Sequence, residues 1–502
     1  MSITLYGPNN LFEAHRAYKN RQGILQERGT SLYWFSVSDI STYHDVYKST
    51  DNGVTWVVQD ARSSTTYVNL WAAGAAAATD HVRIGDVVWK FYLAGSGTNY
   101  RMLFPAKFDF NTDAWTINPG GLLVGPNVVV RDLGVFDPDR WWRGTVATAW
   151  AGGNKLFCAF SNIAGDGYRK LHCSVYDTVG HTWTTVLELT DTAYASAPLS
   201  AIYDEAAGNV HLLYQQDTNA IGATGSDVYI RHLIYDVAGD AVTLDQFITS
   251  DVNYGTQTDW PFSVAIGNNT LTFATLDKDL ELEDGILRQD LYVWTCDLAS
   301  NVWTSINVPF PTAESTTHSW NPSGFVLAGA YATSWMTGAV PGVVYGIADA
   351  TADGTSGADP KVYYSVYDGV GGWSYEVIAS AIGDPSDPRR YWDFHFFNSA
   401  TIGPHAYAVT DYFTDDYYQE AYLFALTITD PTISVSDTLT LGDIVQVTLA
   451  IVSDGDDTIT IDECPDVVAG SSTCSFVKTV DDSETSVTDC AENVYSETAR
   501  PC

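Results

Sequence analysis

Four short segments gather tryptophan beside charged and polar residues. They are Asp137-Pro138-Asp139-Arg140-Trp141-Trp142-Arg143, Asp259-Trp260-Pro261-Phe262, His318-Ser319-Trp320-Asn321 and Asp387-Pro388-Arg389-Arg390-Tyr391-Trp392-Asp393-Phe394-His395. An indole face covers the apolar side of a sugar ring, while carboxylate, guanidinium, amide and imidazole groups bond the hydroxyls at its edge. The expected ligand-binding residues are therefore Arg140, Trp141, Trp142, Arg143, Trp260, His318, Trp320, Arg389, Arg390, Trp392 and His395. The same tryptophans would also serve as wedges between sheets, and each arginine has an aspartate nearby with which to pair.

Carboxylates are abundant: 48 Asp and 13 Glu stand against 9 Lys and 15 Arg. Glycoside hydrolysis would need two of them roughly 5 to 10 Å apart across the bond to be cut. With so many aspartates no pair stands out, and no catalytic residue is assigned. Asp411 with Asp415 and Asp416 is a calcium candidate, because hard oxygen ligands suit that ion. The run from Asp277 to Asp284 is another. Neither follows EF-hand spacing, and solvated loop charge is the competing account of both. No other cofactor is expected.

The elements that must position these segments repeat along the chain. Tyr47-Lys48-Ser49-Thr50-Asp51-Asn52-Gly53-Val54-Thr55-Trp56 sets a pattern whose weaker copies centre on Asp109, Asp177, Asp236, Asp297, Asp368 and Asp430. The steps between these markers are 58, 68, 59, 61, 71 and 62 residues. Between them run short alternating apolar stretches such as Asn209-Val210-His211-Leu212-Leu213-Tyr214, the period of a strand. Units of one kind at one period predict an all-β propeller of seven blades, with six as the alternative. In each unit the Asp is expected to accept backbone hydrogen bonds in the outer hairpin, the Gly to supply a positive φ and the Trp to pack between sheets.

Those units resemble the Asp-box, or BNR-repeat, propellers of the sialidase-like superfamily over roughly residues 10 to 435. The resemblance implies a channel mouth at which glycans are bound or cut, since the superfamily holds both sialidases and non-catalytic binding propellers. A sialidase would carry an Arg-Ile-Pro motif and a three-arginine clamp for a carboxylate. The motif is absent here, so no catalytic position carries over. From about residue 436 aromatics nearly vanish, and Ser436-Asp437-Thr438-Leu439-Thr440-Leu441-Gly442-Asp443 is echoed by Gly455-Asp456-Asp457-Thr458-Ile459-Thr460-Ile461-Asp462. The echo resembles the ends of some phage tail and surface proteins. Residues 1–435 are thus read as the propeller, and 436–502 as a small β-rich accessory or attachment segment.

The formal charge of −37 disfavours phosphate backbones and anionic membranes as partners. The Asp-rich bias suits a saline habitat, although turns between strands also favour Asp. No apolar run is long enough to cross a bilayer as a helix, and Met1 to Pro8 has no signal-peptide pattern. Cys464, Cys474, Cys490 and Cys502 suggest disulfide staples in the terminal segment; Cys158 and Cys173 are a candidate cross-strand pair, and Cys296 a buried thiol. The expectation is a non-catalytic glycan or host-surface binder on a virus particle or outside the cell. Its partners would be a cell-surface glycan and, through the terminal segment, other virion proteins, with a homo-oligomer compatible. The alternatives are an extracellular glycoside hydrolase and a purely architectural virion component.

Overall fold

A computed structural model describes residues 2–13, 25–35, 43–63, 81–95, 101–117, 146–163, 169–184, 187–189, 195–217, 228–250, 264–267, 269–276, 281–283, 286–288, 291–309, 318–328, 342–349, 361–367, 372–380, 391–399, 403–412, 418–427, 457–461 and 476–480. The chain divides into two compact units, Met1–Thr427 and Ile428–Cys502. No helix occurs among the described residues.

The first unit opens with β1 (Ser2–Glu13) and then lays down antiparallel sheets in series. The first contains β2 (Leu25–Arg28), β3 (Ser31–Phe35), β4 (Tyr43–Ser49) and β5 (Val57–Ser63). The second contains β6 (Val82–Ile84), β7 (Val87–Gly95), β8 (Arg101–Asp109) and β9 (Ala114–Ile117). In the third, β10 (Val146–Trp150), β11 (Lys155–Ile163) and β12 (Arg169–Asp177) are edged by two short strands, β13 (Thr182–Trp183) and β14 (Leu187–Glu188). The fourth is β15 (Ala195–Asp204), β16 (Asn209–Asp217), β17 (Val228–Asp236) and β18 (Ala241–Thr249). The fifth begins with β19 (Val264–Gly267) and β20 (Thr270–Leu276). A separate hairpin of β21 (Glu281–Glu283) and β22 (Ile286–Arg288) follows, and then β23 (Leu291–Asp297) and β24 (Val302–Val308) complete the sheet. The sixth is β25 (His318–Ala328), β26 (Gly342–Asp349), β27 (Lys361–Tyr367) and β28 (Trp373–Ser380). The seventh is β29 (Tyr391–Ser399), β30 (Gly403–Tyr412) and β31 (Tyr418–Thr427), with β1 as its outer strand. The second unit holds the hairpin β32 (Asp457–Ile461) and β33 (Phe476–Val480).

Each sheet touches its successor, through β5 and β9, β6 and β10, β10 and β15, β15 and β19, β20 and β25, and β25 and β29. The series returns to its start because β29 packs on β2. This is a β-propeller, closed by pairing β1 with β31 from Ser2 opposite Thr427 to Glu13 opposite Tyr418.

Both faces of each sheet are covered, so alternate residues of one strand enter different cores. On β16, Val210, Leu212 and Tyr214 join a core with Phe157 and Leu171 of the third sheet, whereas Leu213 joins one with Phe273 and Val293 of the fifth. The tryptophan that opens a fourth strand reaches back to the preceding sheet. Trp115 meets Phe35 at 5.8 Å, Trp183 meets Phe91 at 5.3 Å and Trp303 meets His232 at 5.4 Å between ring centroids.

The marker aspartates sit between third and fourth strands in five described hairpins. The carboxylates of Asp109, Asp177, Asp236 and Asp297 each accept the amide N–H two residues on, at 2.8 to 2.9 Å. Asp51 instead accepts the N–H and hydroxyl of Thr55 at 2.8 and 2.6 Å, and Trp56 Nε1 donates to the Gly53 carbonyl, whose residue has φ of 85°. The positive φ expected of the glycine is corrected in the Asp177 and Asp236 hairpins: Gly180 and Gly239 lack it, and the residue four past the marker has it instead. Asp113, His181, Asp240 and Asn301 all have φ between 50° and 56°, a conformation that Asp, Asn and His tolerate better than other non-glycine residues. In three hairpins this residue also holds a tyrosine hydroxyl: Tyr33 donates to Asp113 at 2.8 Å, Tyr176 meets His181 at 2.9 Å and Tyr235 donates to Asp240.

The proposed pairing of Cys158 with Cys173 is corrected: both are buried thiols that form no disulfide. In the β11–β12 ladder Cys158 faces Ser174 and Ala159 faces Cys173, so the two thiols project from opposite faces of the sheet. Cys158 joins the core toward the second sheet and Cys173 the core toward the fourth. Cys296 is a free buried thiol as expected. The cysteines at 464, 474, 490 and 502 lie outside the described residues.

Because Trp115 is only 6% exposed and contacts both Phe35 and Phe108, Trp115→Ala is expected to destabilise the propeller by about 3 to 5 kcal/mol. Chemical denaturation measures this directly.

Candidate functional site

Strands alternate in direction across each sheet, so the starts of the inner strands lie at one end of the propeller. The connections between second and third strands lie at the same end. At this mouth two adjacent inner strands, β25 and β29, pack together. β25 begins at His318 and carries Trp320; β29 begins at Tyr391 and carries Trp392 and His395. Three expected ligand residues, His318, Trp320 and Trp392, therefore lie near the starts of neighbouring strands, and His395 lies midway along the second. Their ladder partners add two carboxylates: His318 lies opposite Asp349, and Trp392 lies opposite Asp411. Asp411, read first as a calcium candidate, thus belongs to the strand that flanks Trp392.

Arg140, Trp141, Trp142, Arg143, Trp260, Arg389 and Arg390 lie outside the described residues, as do Asp415 and Asp416. Among the described residues no group of three His, Cys, Asp or Glu could hold a metal ion. Asp349 was missed by sequence reading. Its signal is positional: it closes the strand Gly342-Val343-Val344-Tyr345-Gly346-Ile347-Ala348-Asp349, the second of its sheet, which must end beside the start of the first.

At the end away from the mouth, cations of the first and second sheets hold those two sheets together. Arg28 donates to both carboxylate oxygens of Asp86 at 2.9 and 3.2 Å and to Asn111 at 2.5 Å, linking turns of the first and second sheets. Arg83 donates to the Glu27 carbonyl. Lys48 pairs with Asp113 at 2.8 Å, and the same carboxylate accepts from Tyr33. The Arg28 hydrogen bond is the main reason the Asp86 carboxyl lies below the ordinary carboxylate range.

A second cluster of titratable groups is buried between the fourth and fifth sheets. His211 and His232 stack with ring centroids 5.1 Å apart, and Nδ1 of His211 lies 2.9 Å from Nε2 of His232. Gln246 Nε2, which can only donate, lies 3.2 Å from His232 Nδ1. Nδ1 of His232 is therefore the acceptor, its Nε2 carries the proton and donates to His211, and His211 is protonated on Nε2. That N–H is buried without a hydrogen-bond partner, 3.9 Å from Asp204. Burial holds His211 down to about 4, outweighing the attraction of Asp204, and burial with the nearby His211 holds His232 down to about 3. The pair is neutral, and Trp303 covers one side of it. The cluster packs between the two sheets.

No protein-family model matches the sequence, and no curated protein matches it. Solved structures of similar shape include the α-L-arabinofuranosidase arb93a from Fusarium graminearum, at 14% identity and a TM-score of 0.41, covering 72% of this chain and 96% of that one. The Trypanosoma rangeli sialidase has 10% identity and a TM-score of 0.37, with 82% of this chain and 56% of that one covered. NanB sialidase from Streptococcus pneumoniae has 9% identity and a TM-score of 0.36, with 84% and 70% covered. Likenesses this distant assign no activity to the chain.

Histidines whose pKa is lowered on folding favour the folded state while neutral. Their contribution is complete above the unfolded value near 6.5 and is lost as pH falls toward 4 and then 3. Denaturant titrations between pH 7 and 4 should show stability falling with acid, and His232→Phe should flatten that slope by about one proton. An identical slope in the variant would show that the pair is protonated already when folded.

Proposed function

We propose that this propeller is a non-catalytic glycan-binding protein whose site is the mouth at the starts of β25 and β29. The observation that carries the reading is that His318, Trp320 and Trp392 lie near the starts of two packed inner strands, with His395 midway along the second. Tryptophan offers a rigid apolar face to a sugar ring, and imidazole and carboxylate groups offer directional bonds to its hydroxyls. Further support comes from the opposite end, where Arg28, Arg83 and Lys48 are committed to contacts between sheets. On this reading the segment from residue 436 attaches the propeller to a particle or other assembly. Its Asp- and Thr-rich echo supports that role.

A second reading, an extracellular glycoside hydrolase, has one specific observation in its favour. Asp349 and Asp411 both stand near the ends of second strands, opposite candidate residues and at the same end of the propeller. Two carboxylates flanking a bound sugar are what such hydrolysis requires.

A glycan array followed by calorimetry on the strongest hit tests the first reading. Trp320→Ala and Trp392→Ala should each weaken binding about tenfold or more, equivalent to roughly 1.4 kcal/mol, while the thermal unfolding midpoint stays close to that of the parent. Loss of folding in both variants would assign these tryptophans to sheet packing instead. Release of reducing sugar by the parent, abolished in Asp349→Asn or Asp411→Asn, would establish the second reading.

A further inference from the structure

The connection between β20 and β23 departs from the plan of the fifth sheet. Instead of leading directly from second to third strand, it folds into the hairpin β21–β22, with Glu281 opposite Arg288, Leu282 opposite Leu287 and Glu283 opposite Ile286. Among the described residues this is the one connection of its kind that forms a sheet of its own. It springs from the mouth end, and β22 packs against β25, the inner strand of the next sheet. The hairpin therefore leaves the sheet that bears it and reaches the strand carrying His318 and Trp320.

The strand period of two sorts its residues into two faces. Glu281, Glu283, Ile286 and Arg288 share one face; Leu282 and Leu287 share the other. A two-stranded hairpin is marginally stable by itself in water, so its persistence depends on what it packs against, and β25 is that neighbour. Arg288 thus lies on the strand that packs against β25, and Glu281 and Glu283 lie on its hairpin partner.

We propose that β21–β22 is a specificity arm, in which Glu281, Glu283 and Arg288 bind a second sugar of a glycan whose first sugar is held at β25 and β29. The proposal rests on the glycan-binding reading and deepens it by naming the ligand class, a neutral oligosaccharide of at least two units. Carboxylates accept from pairs of hydroxyls, and a guanidinium donates to a ring or hydroxyl oxygen. Two carboxylates against one guanidinium, with Glu281 across from Arg288, leave the arm net negative. A neutral sugar is then favoured over one bearing its own carboxylate.

The test uses the full chain. An array of neutral glycans of one, two and three units beside sialylated ones selects the tightest glycan, and calorimetry compares it with its terminal sugar alone. The parent should bind the oligosaccharide about tenfold or more tightly than the single sugar. Glu281→Gln with Glu283→Gln, and separately Arg288→Gln, should collapse that ratio toward one. A third variant with residues 281–288 replaced by a short Gly-Ser turn should do the same if its unfolding midpoint shows it folded; if it unfolds, the point variants decide. A ratio that survives in the point variants overturns the arm while leaving glycan binding intact, and preference for sialylated glycans overturns its charge argument. A parent that binds no glycan overturns the reading of the mouth and the arm with it.

Discussion

Everything in the propeller depends on burial of both faces of every sheet. A single β-sheet with two apolar faces cannot be soluble, and stacking like sheets around an axis covers each face with the next one. The cost is that a linear stack would leave two bare faces at its ends. Contact between β29 and β2 removes them, and pairing of β1 with β31 ties the beginning of the unit to its last strand. The inter-sheet aromatic contacts, from Phe35 with Trp115 to His232 with Trp303, are local expressions of the same requirement.

That requirement divides the labour between the two ends. Tight hairpins at one end are held by aspartates that accept backbone N–H groups and by arginine and lysine contacts that stitch neighbouring turns. At the other end the inner strands begin, among them β25 and β29 with His318, Trp320 and Trp392 near their starts. The buried pair of His211 and His232 shows how a polar group is tolerated between sheets: it is kept neutral, its tautomer set by Gln246, and roofed by Trp303.

Much of this was legible in order along the chain, and less of it in space. The aspartates at 51, 109, 177, 236 and 297 fall in hairpins between third and fourth strands because an Asp side chain can cap a turn locally, using only neighbours in sequence. Cys158 and Cys173 illustrate the opposite case. Their neighbouring strands suggested a bond, yet a ladder offset of one residue sends the side chains to different cores. The recurring positive φ four residues past the marker was equally hidden, because Asp, His and Asn there share a conformation and not a residue type.

Strand period, turn chemistry and the spacing of similar units were determined by the sequence itself, since each arises from interactions among residues close in the chain. Which carboxylate stands across from which candidate residue was not. Asp349 is 31 residues from His318, and Asp411 is 19 from Trp392; only the registers of β25 with β26 and of β29 with β30 bring them across from one another. The approach of β22 to β25 likewise belongs to the closed ring. Register and ring closure are settled by the packing of whole faces, a sum over many distant side chains that no local segment contains.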